Sequence, residues 1–254
     1  MDHAIRKGGC ITTELVAYSW IRQQPAGCHL ACIHMQVEDF KLIHIDLSDK
    51  PRWYTSKINH RGLVPSLVDK KGIAHVESLE ICKWIDDEMQ GSELYPVNIR
   101  DGVDAQICLG DAVISAGLDA CSGESRFWGI GSRVSQNQLD SLAKSIGNLF
   151  DARDKLDPDG EFLAGANITL ADINLFPFIT RFEAAMKQAY GIRIDTLDNG
   201  RLKGWISAMR DRPSCKVTES DPDLLKRQYA KHSSLDFFDY STYTMFSLHP
   251  HLDR

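Results

Sequence analysis

The sequence predicts an α/β domain followed by an all-α domain. Strand signals, meaning short apolar runs and strict alternation, are confined to the first third of the chain. Within that third, elements follow in the order β-α-β and then β-β-α. From Asp101 to about Tyr229 the apolar residues recur at helical spacing and no alternating run interrupts them.

"ELVAY" is an apolar run suited to a buried strand. "AGCHLACIHMQ" (residues 26–36) places Cys28, Leu30 or Ala31, and Met35 at helical spacing. "KLIHIDL" alternates, with Ile43, Ile45 and Leu47 on one face, and reads as a second strand. A strand, a helix and a strand in this order imply a parallel pair joined by a right-handed crossover. "VPSLVD" and "GIAHV", separated by "KKG", read as two short strands of a hairpin. "SLEICKWIDDEM" opens with a serine and sets Ile81, Trp84, Ile85 and Met89 on one stripe, the pattern of an amphipathic helix. This is a thioredoxin-like arrangement. "GSELYPVN" is a linker. In the second domain, "ITLADINLFPFITRF" marks a helix start, with Thr169 as N-cap, Asp172 three positions on and Ile168 ahead as a staple. The expected boundaries are residues 12–92 for the first domain, 100–232 for the helical one and 233–254 for an aromatic and polar tail.

The bulk properties narrow the function. A chain of 254 residues holds one or two domains with a sizeable core. A net charge of -6 argues against nucleic acid or an anionic membrane as the partner. No apolar run is long enough to span a bilayer. "MDHAIRKGGCITTE" has no apolar signal core, so a cytoplasmic location is expected. The seven cysteines are scattered without a C-x-x-C, which encodes neither a zinc site nor a dithiol redox pair and fits reduced cytosolic thiols. Cys28 and Cys32, four apart, lack further ligands, and His249 and His251 are too few to hold a metal. No metal is expected.

The segment "IDLSDKPRWYTSKINHRGLVPSLVDKKGIAHVESLEICKWIDDEMQGSELYP" resembles cytosolic glutathione transferases, most closely their omega and lambda classes. The matching pattern is an acidic residue after the second strand, then K-P-x-W, N-x-x-G-x-V-P and E-S. "FLAGANITLADINLFPFITRF" resembles the capping segment of the family's helical domain, and "RPSCKVT" the stretch after it. Together these segments carry the likeness over most of the stretch from Leu15 to about Tyr229. It implies the glutathione transferase fold, glutathione as co-substrate, a twofold homodimer, and a small hydrophobic electrophile bound between the domains near "DAVISAGLDACSGESRFWG".

The resemblance also implies a binding set: Lys57, Leu63, Val64, Pro65, Glu77 and Ser78. A cis Val64–Pro65 bond would expose the Val64 backbone so that an extended tripeptide pairs with it like an added strand. Ser78 and the free N–H groups of a helix start suit the γ-glutamyl carboxylate. Glu77 suits the γ-glutamyl ammonium, and Lys57 the glycyl carboxylate. Against this stands a plainer reading, with Ser78 only an N-cap and Glu77 a solvated charge. The Val-Pro element tips the balance toward binding.

The catalytic position is anomalous. Omega-like chains begin the first helix with a C-P dipeptide whose cysteine forms a mixed disulfide with glutathione. Zeta-like chains carry a serine there. Here Gln23 and Gln24 occupy the place, or Gln24-Pro25 after a shift of one. An amide is no nucleophile, but Gln24 can donate an N–H to a bound thiolate. Tyr18 aligns with the tyrosine that polarises the thiol in mu-like enzymes, although zeta-like chains carry one there without catalytic duty. Ser19 is a further hydroxyl at the strand end. Cys28 lies one turn beyond Gln24, where the helix-end effect on a thiol fades, so an inert buried thiol is its expected role. Two functions remain open: a transferase that conjugates glutathione to an electrophile or uses it in a reduction, and a non-catalytic protein that binds glutathione or hydrophobic ligands and has lost its nucleophile.

Overall fold

A computed structural model describes residues 15–20, 40–46, 49–88, 93–123 and 133–218. These fall into two units that divide between positions 91 and 92.

The first unit is built on a four-stranded mixed sheet of order β2-β1-β3-β4. β1 (Leu15–Trp20) pairs in parallel with β2 (Phe40–Ile45), from Leu15↔Phe40 to Trp20↔Ile45. The expected parallel pair is therefore present. The helix expected between them, with Cys28, lies outside the described residues, as do Leu47 and Met89. β3 (Ser66–Val68) runs antiparallel to β1 and to β4 (Ala74–Val76), the hairpin read from the sequence. Its turn is tied by Asp69, whose Oδ1 accepts from the backbone N–H of Lys71 at 2.9 Å and of Ile73 at 2.8 Å. Burial raises the Asp69 carboxyl pKa, but these bonds and His75 outweigh it and hold the group below its ordinary range. α2 (Ser78–Glu88) follows, with Ile81 and Ile85 buried as the stripe requires and Trp84 stacked on His75 at 4.5 Å.

One element was not expected. A short helix, α1 (Arg52–Lys57), follows Pro51. It delivers Tyr54 to the core beside Val16, Ile45 and Val68, with Ile43, Trp53, Ile58, Val64 and Ala74 packed around. Tyr54 is fully buried. Ile43 and Ile45 both reach this core, as their alternation predicts.

The second unit is helical: α3 (Arg100–Ser122), α4 (Gln136–Leu156), α5 (Leu170–Tyr190), α6 (Arg201–Asp211) and α7 (Pro213–Thr218). Among the described residues its only β feature is a single bridge between Phe162 and Gly165. α3 and α5 meet closely at Gly117, where a Cβ would stand 2.3 Å from the Phe182 ring. Asp172 organises the start of α5. Its Oδ2 accepts from the Thr169 N–H and hydroxyl, both at 2.9 Å. Its Oδ1 accepts from the Leu163 N–H at 2.9 Å and from Trp205 Nε1 on α6 at 2.8 Å. Asp172 is thus a structural residue, as expected. Burial pushes its carboxyl above the ordinary value, while the bonds from Trp205, Leu163 and Thr169 work against that rise. Ile168 and Ile173 are both buried, which fits the staple. No helix among the described residues is long and apolar enough to cross a membrane.

Asp172→Ala strands three buried N–H donors and a hydroxyl at once. Each stranded group costs about 1–3 kcal/mol, so a stability loss of about 3 kcal/mol or more is expected in urea unfolding. A loss under about 1 kcal/mol would show that these donors find other acceptors.

Candidate functional site

The strand ladders bring the sequence-predicted groups to one end of the sheet. Ser66 stands opposite Tyr18 on one side and opposite Val76 on the other. Val64–Pro65 precede β3, Glu77–Ser78 follow β4, and Tyr18 and Ser19 lie near the end of β1. All three strand ends therefore point the same way. For Tyr18 and Ser19 the placement is that of the backbone within β1. Gln23, Gln24 and Cys28 lie outside the described residues.

The loop between α1 and β3 is held by an unusual density of polar contacts for its length. Gly62 has φ 64° and closes a turn in which its N–H meets the Asn59 carbonyl at 2.8 Å. The Asn59 side chain, itself buried, accepts from the Arg61 N–H at 3.1 Å and donates to the Leu63 carbonyl at 2.9 Å. The Tyr54 hydroxyl donates to the same carbonyl at 2.5 Å and lies 2.9 Å from Ser66 Oγ. Two donors rising from the core thus fix the peptide immediately before Val64. The Val64–Pro65 bond is cis, as expected. Leu63 itself is 43% exposed, and Val64 is partly buried. Among the described residues, no other backbone group bonds to the N–H or carbonyl of Val64.

The opposite wall is the start of α2. Glu77 has φ 68°, a left-handed backbone that is unfavourable for any residue with a Cβ. Its carbonyl accepts from Ile81 as the first helical bond. Ser78 opens the helix, partly buried. Among the described residues its hydroxyl has no hydrogen-bond partner. The first N–H groups of a helix are likewise unsatisfied from within. This wall offers an anion a hydroxyl and a cluster of N–H groups.

Two placements were not legible in the sequence. Lys57 ends α1 and is exposed. The lysine lying against the loop is Lys50: a Cβ on Gly62 would stand 3.0 Å from its Cδ and 3.4 Å from its Nζ. The carboxylate of Glu77 meets Arg61 Nη1 at 2.6 Å. A tight turn with glycine at its end was the signal that could have brought Arg61 toward Glu77. Among the described residues, no group of three or more His, Cys, Asp or Glu could hold a metal ion.

Comparison with known proteins bears on the fold and the family. The fold matches glutathione transferases of several classes. An omega-class enzyme, 2C from Trametes versicolor, superposes with a TM-score of 0.69 at 19% identity, over 86% of this chain and 98% of that one. A rice enzyme, GST1, solved in complex with glutathione, superposes at 0.67 with 18% identity, over 86% and 95%. The sequence model described as "Glutathione S-transferase, N-terminal domain" matches residues 25–88, and "Glutathione S-transferase, C-terminal domain" matches residues 112–208. Glutathione S-transferase L3 of Arabidopsis thaliana is 27% identical over 196 residues, 76% of each chain. The chain belongs to the glutathione transferase superfamily.

Tyr54→Phe keeps the buried ring and removes only the hydroxyl. It leaves the Leu63 carbonyl with Asn59 alone and takes a partner from Ser66. A stability loss of about 1–2 kcal/mol is expected in a urea titration with unchanged circular dichroism. An unchanged midpoint would show that the hydroxyl does not hold the loop.

Proposed function

We propose that the protein binds glutathione in its first unit, and that the tripeptide's own thiolate is the nucleophile toward a small hydrophobic electrophile. The observation that carries this reading is the meeting, at one sheet end, of the Val64 backbone with the Glu77–Ser78 helix start. An extended peptide paired with Val64 has its γ-glutamyl carboxylate toward Ser78 and the N–H groups of α2. Its ammonium goes to Glu77. For the glycyl carboxylate, Lys50 is better supported than Lys57, since its stem lies on Gly62. In the chemical step the thiolate sulfur forms a bond to the electrophilic carbon, and a leaving group departs or a proton is taken up by the adduct. Gln24, Ser19 or Tyr18 steadies the thiolate before that step. The same reading takes the chain as a homodimer with domains over residues 12–92 and 100–232.

A second reading is favoured by one specific observation. Neither register at residues 23–25 supplies a thiol or hydroxyl, which suits a protein that binds glutathione or hydrophobic ligands without catalysis.

Calorimetry tests the binding. Ser78→Ala removes a hydroxyl from a charged carboxylate and is expected to weaken glutathione by about 1.5–3 kcal/mol. Unchanged affinity would take Ser78 out of the site.

Activity separates the two readings. Without a cysteine at residues 23–25, wild type should be weak in reducing hydroxyethyl disulfide. A helix end lowers a thiol pKa by only about one unit, so conjugation should be slow at neutral pH and rise as pH increases. Gln24→Cys should gain disulfide exchange. Strong wild-type reduction abolished by Cys28→Ser would make Cys28 the nucleophile. No conjugation at any pH would favour the non-catalytic reading.

A further inference from the structure

Arg61 and Glu77 form an ion pair at 2.6 Å whose side chains are 57% and 59% exposed. A pair so exposed adds little to stability. Yet Glu77 keeps a left-handed backbone at φ 68°, where a glycine would sit without strain. Stability alone therefore does not explain a glutamate here. Arg61 uses Nη1 on Glu77. Among the described residues its remaining side-chain N–H groups are uncommitted, and a guanidinium carries five in a fixed fork. The Arg61 backbone is pinned by Asn59 at 3.1 Å, which fixes the point from which its side chain reaches Glu77. One residue beyond Glu77 stands the unpartnered hydroxyl of Ser78, at the N-terminus of the eleven-residue helix α2.

We infer that Arg61 and Glu77 are a clamp for the zwitterionic end of an α-amino acid. Arg61 joins Ser78 on the carboxylate, and Glu77 takes the ammonium with its second oxygen. The inference rests on the glutathione reading, because the γ-glutamyl residue carries both groups on one carbon. A cation and an anion already paired match that zwitterion without adding net charge to the site. Arg61 is then a specificity residue for the carboxylate. The opposite sense, in which Arg61 merely competes with the ammonium for Glu77, makes the reverse prediction.

The test is calorimetric titration of the full chain with two peptides. One is glutathione. The other is 4-aminobutanoyl-cysteinylglycine, which keeps the amine and the thiol but lacks the γ-glutamyl carboxylate. Arg61→Met should weaken glutathione about tenfold, the size of a charge-assisted hydrogen bond. It should leave the decarboxylated peptide within about twofold of wild type. Arg61→Lys should restore part of the loss. If Arg61→Met binds glutathione more tightly than wild type, the clamp is overturned and Arg61 is a competitor. An equal loss for both peptides overturns it too, as the mark of a structural role. If wild type binds neither peptide, the glutathione reading itself fails and takes the clamp with it. Binding by wild type combined with indifference to Arg61 sinks the clamp alone.

Discussion

The carbonyl of Leu63 is the point on which the candidate site turns. It accepts from Tyr54 and from Asn59, and both donors are anchored in the interior. Tyr54 is fixed because its ring belongs to the same core as Val16, Ile45 and Val68. The loop cannot shift without either leaving a buried hydroxyl unsatisfied or disturbing that core. Asn59 works in two directions, with its oxygen on the Arg61 N–H and its nitrogen on Leu63. A single carboxamide thus sets both the backbone that leads into Val64 and the stem of the cation facing Glu77.

The helical unit has an equivalent centre in Asp172. Four donors from three stretches of chain converge on one carboxylate: the loop at Leu163, the cap at Thr169 and the ring of Trp205. A buried polar group of this kind is favourable only when every partner is in place. The arrangement couples the start of α5 to α6, and Phe176 packs edge-on to Trp205 beside it at 5.9 Å.

The sequence was legible wherever the signal is local. The alternation of Ile43 and Ile45, the turn around Lys70–Gly72 and the stripe of Ile81 and Ile85 each lie within one element. Thr169 and Asp172 are three apart, so their pairing could be read, but Leu163 and Trp205 reach the same carboxylate from distant positions. α1 escaped notice because six residues with one buried side chain show no period. Lys50 precedes α1 and Lys57 ends it, and the two look alike in sequence; only the turn at Gly62 separates them. Arg61 and Glu77 are sixteen residues apart and meet through tertiary structure alone. The roles of Gln24 and Cys28 rest on sequence alone, and Tyr18 and Ser19 are fixed only as members of β1.

Glu77 also bears on how this chain would respond to selection for heat resistance. Its backbone conformation is one that glycine adopts freely, and its side chain adds only an exposed ion pair to the fold. Replacing a strained residue with one that fits the backbone is a common route to a tougher protein. A screen that rewards survival alone would therefore drift toward Glu77→Gly and discard the anion along with the strain. If Glu77 holds the γ-glutamyl ammonium as proposed, the hardened variant would retain its shape and lose the means to tell an amino acid's charged end from a plain carboxylic acid. At this position, durability and discrimination pull in opposite directions.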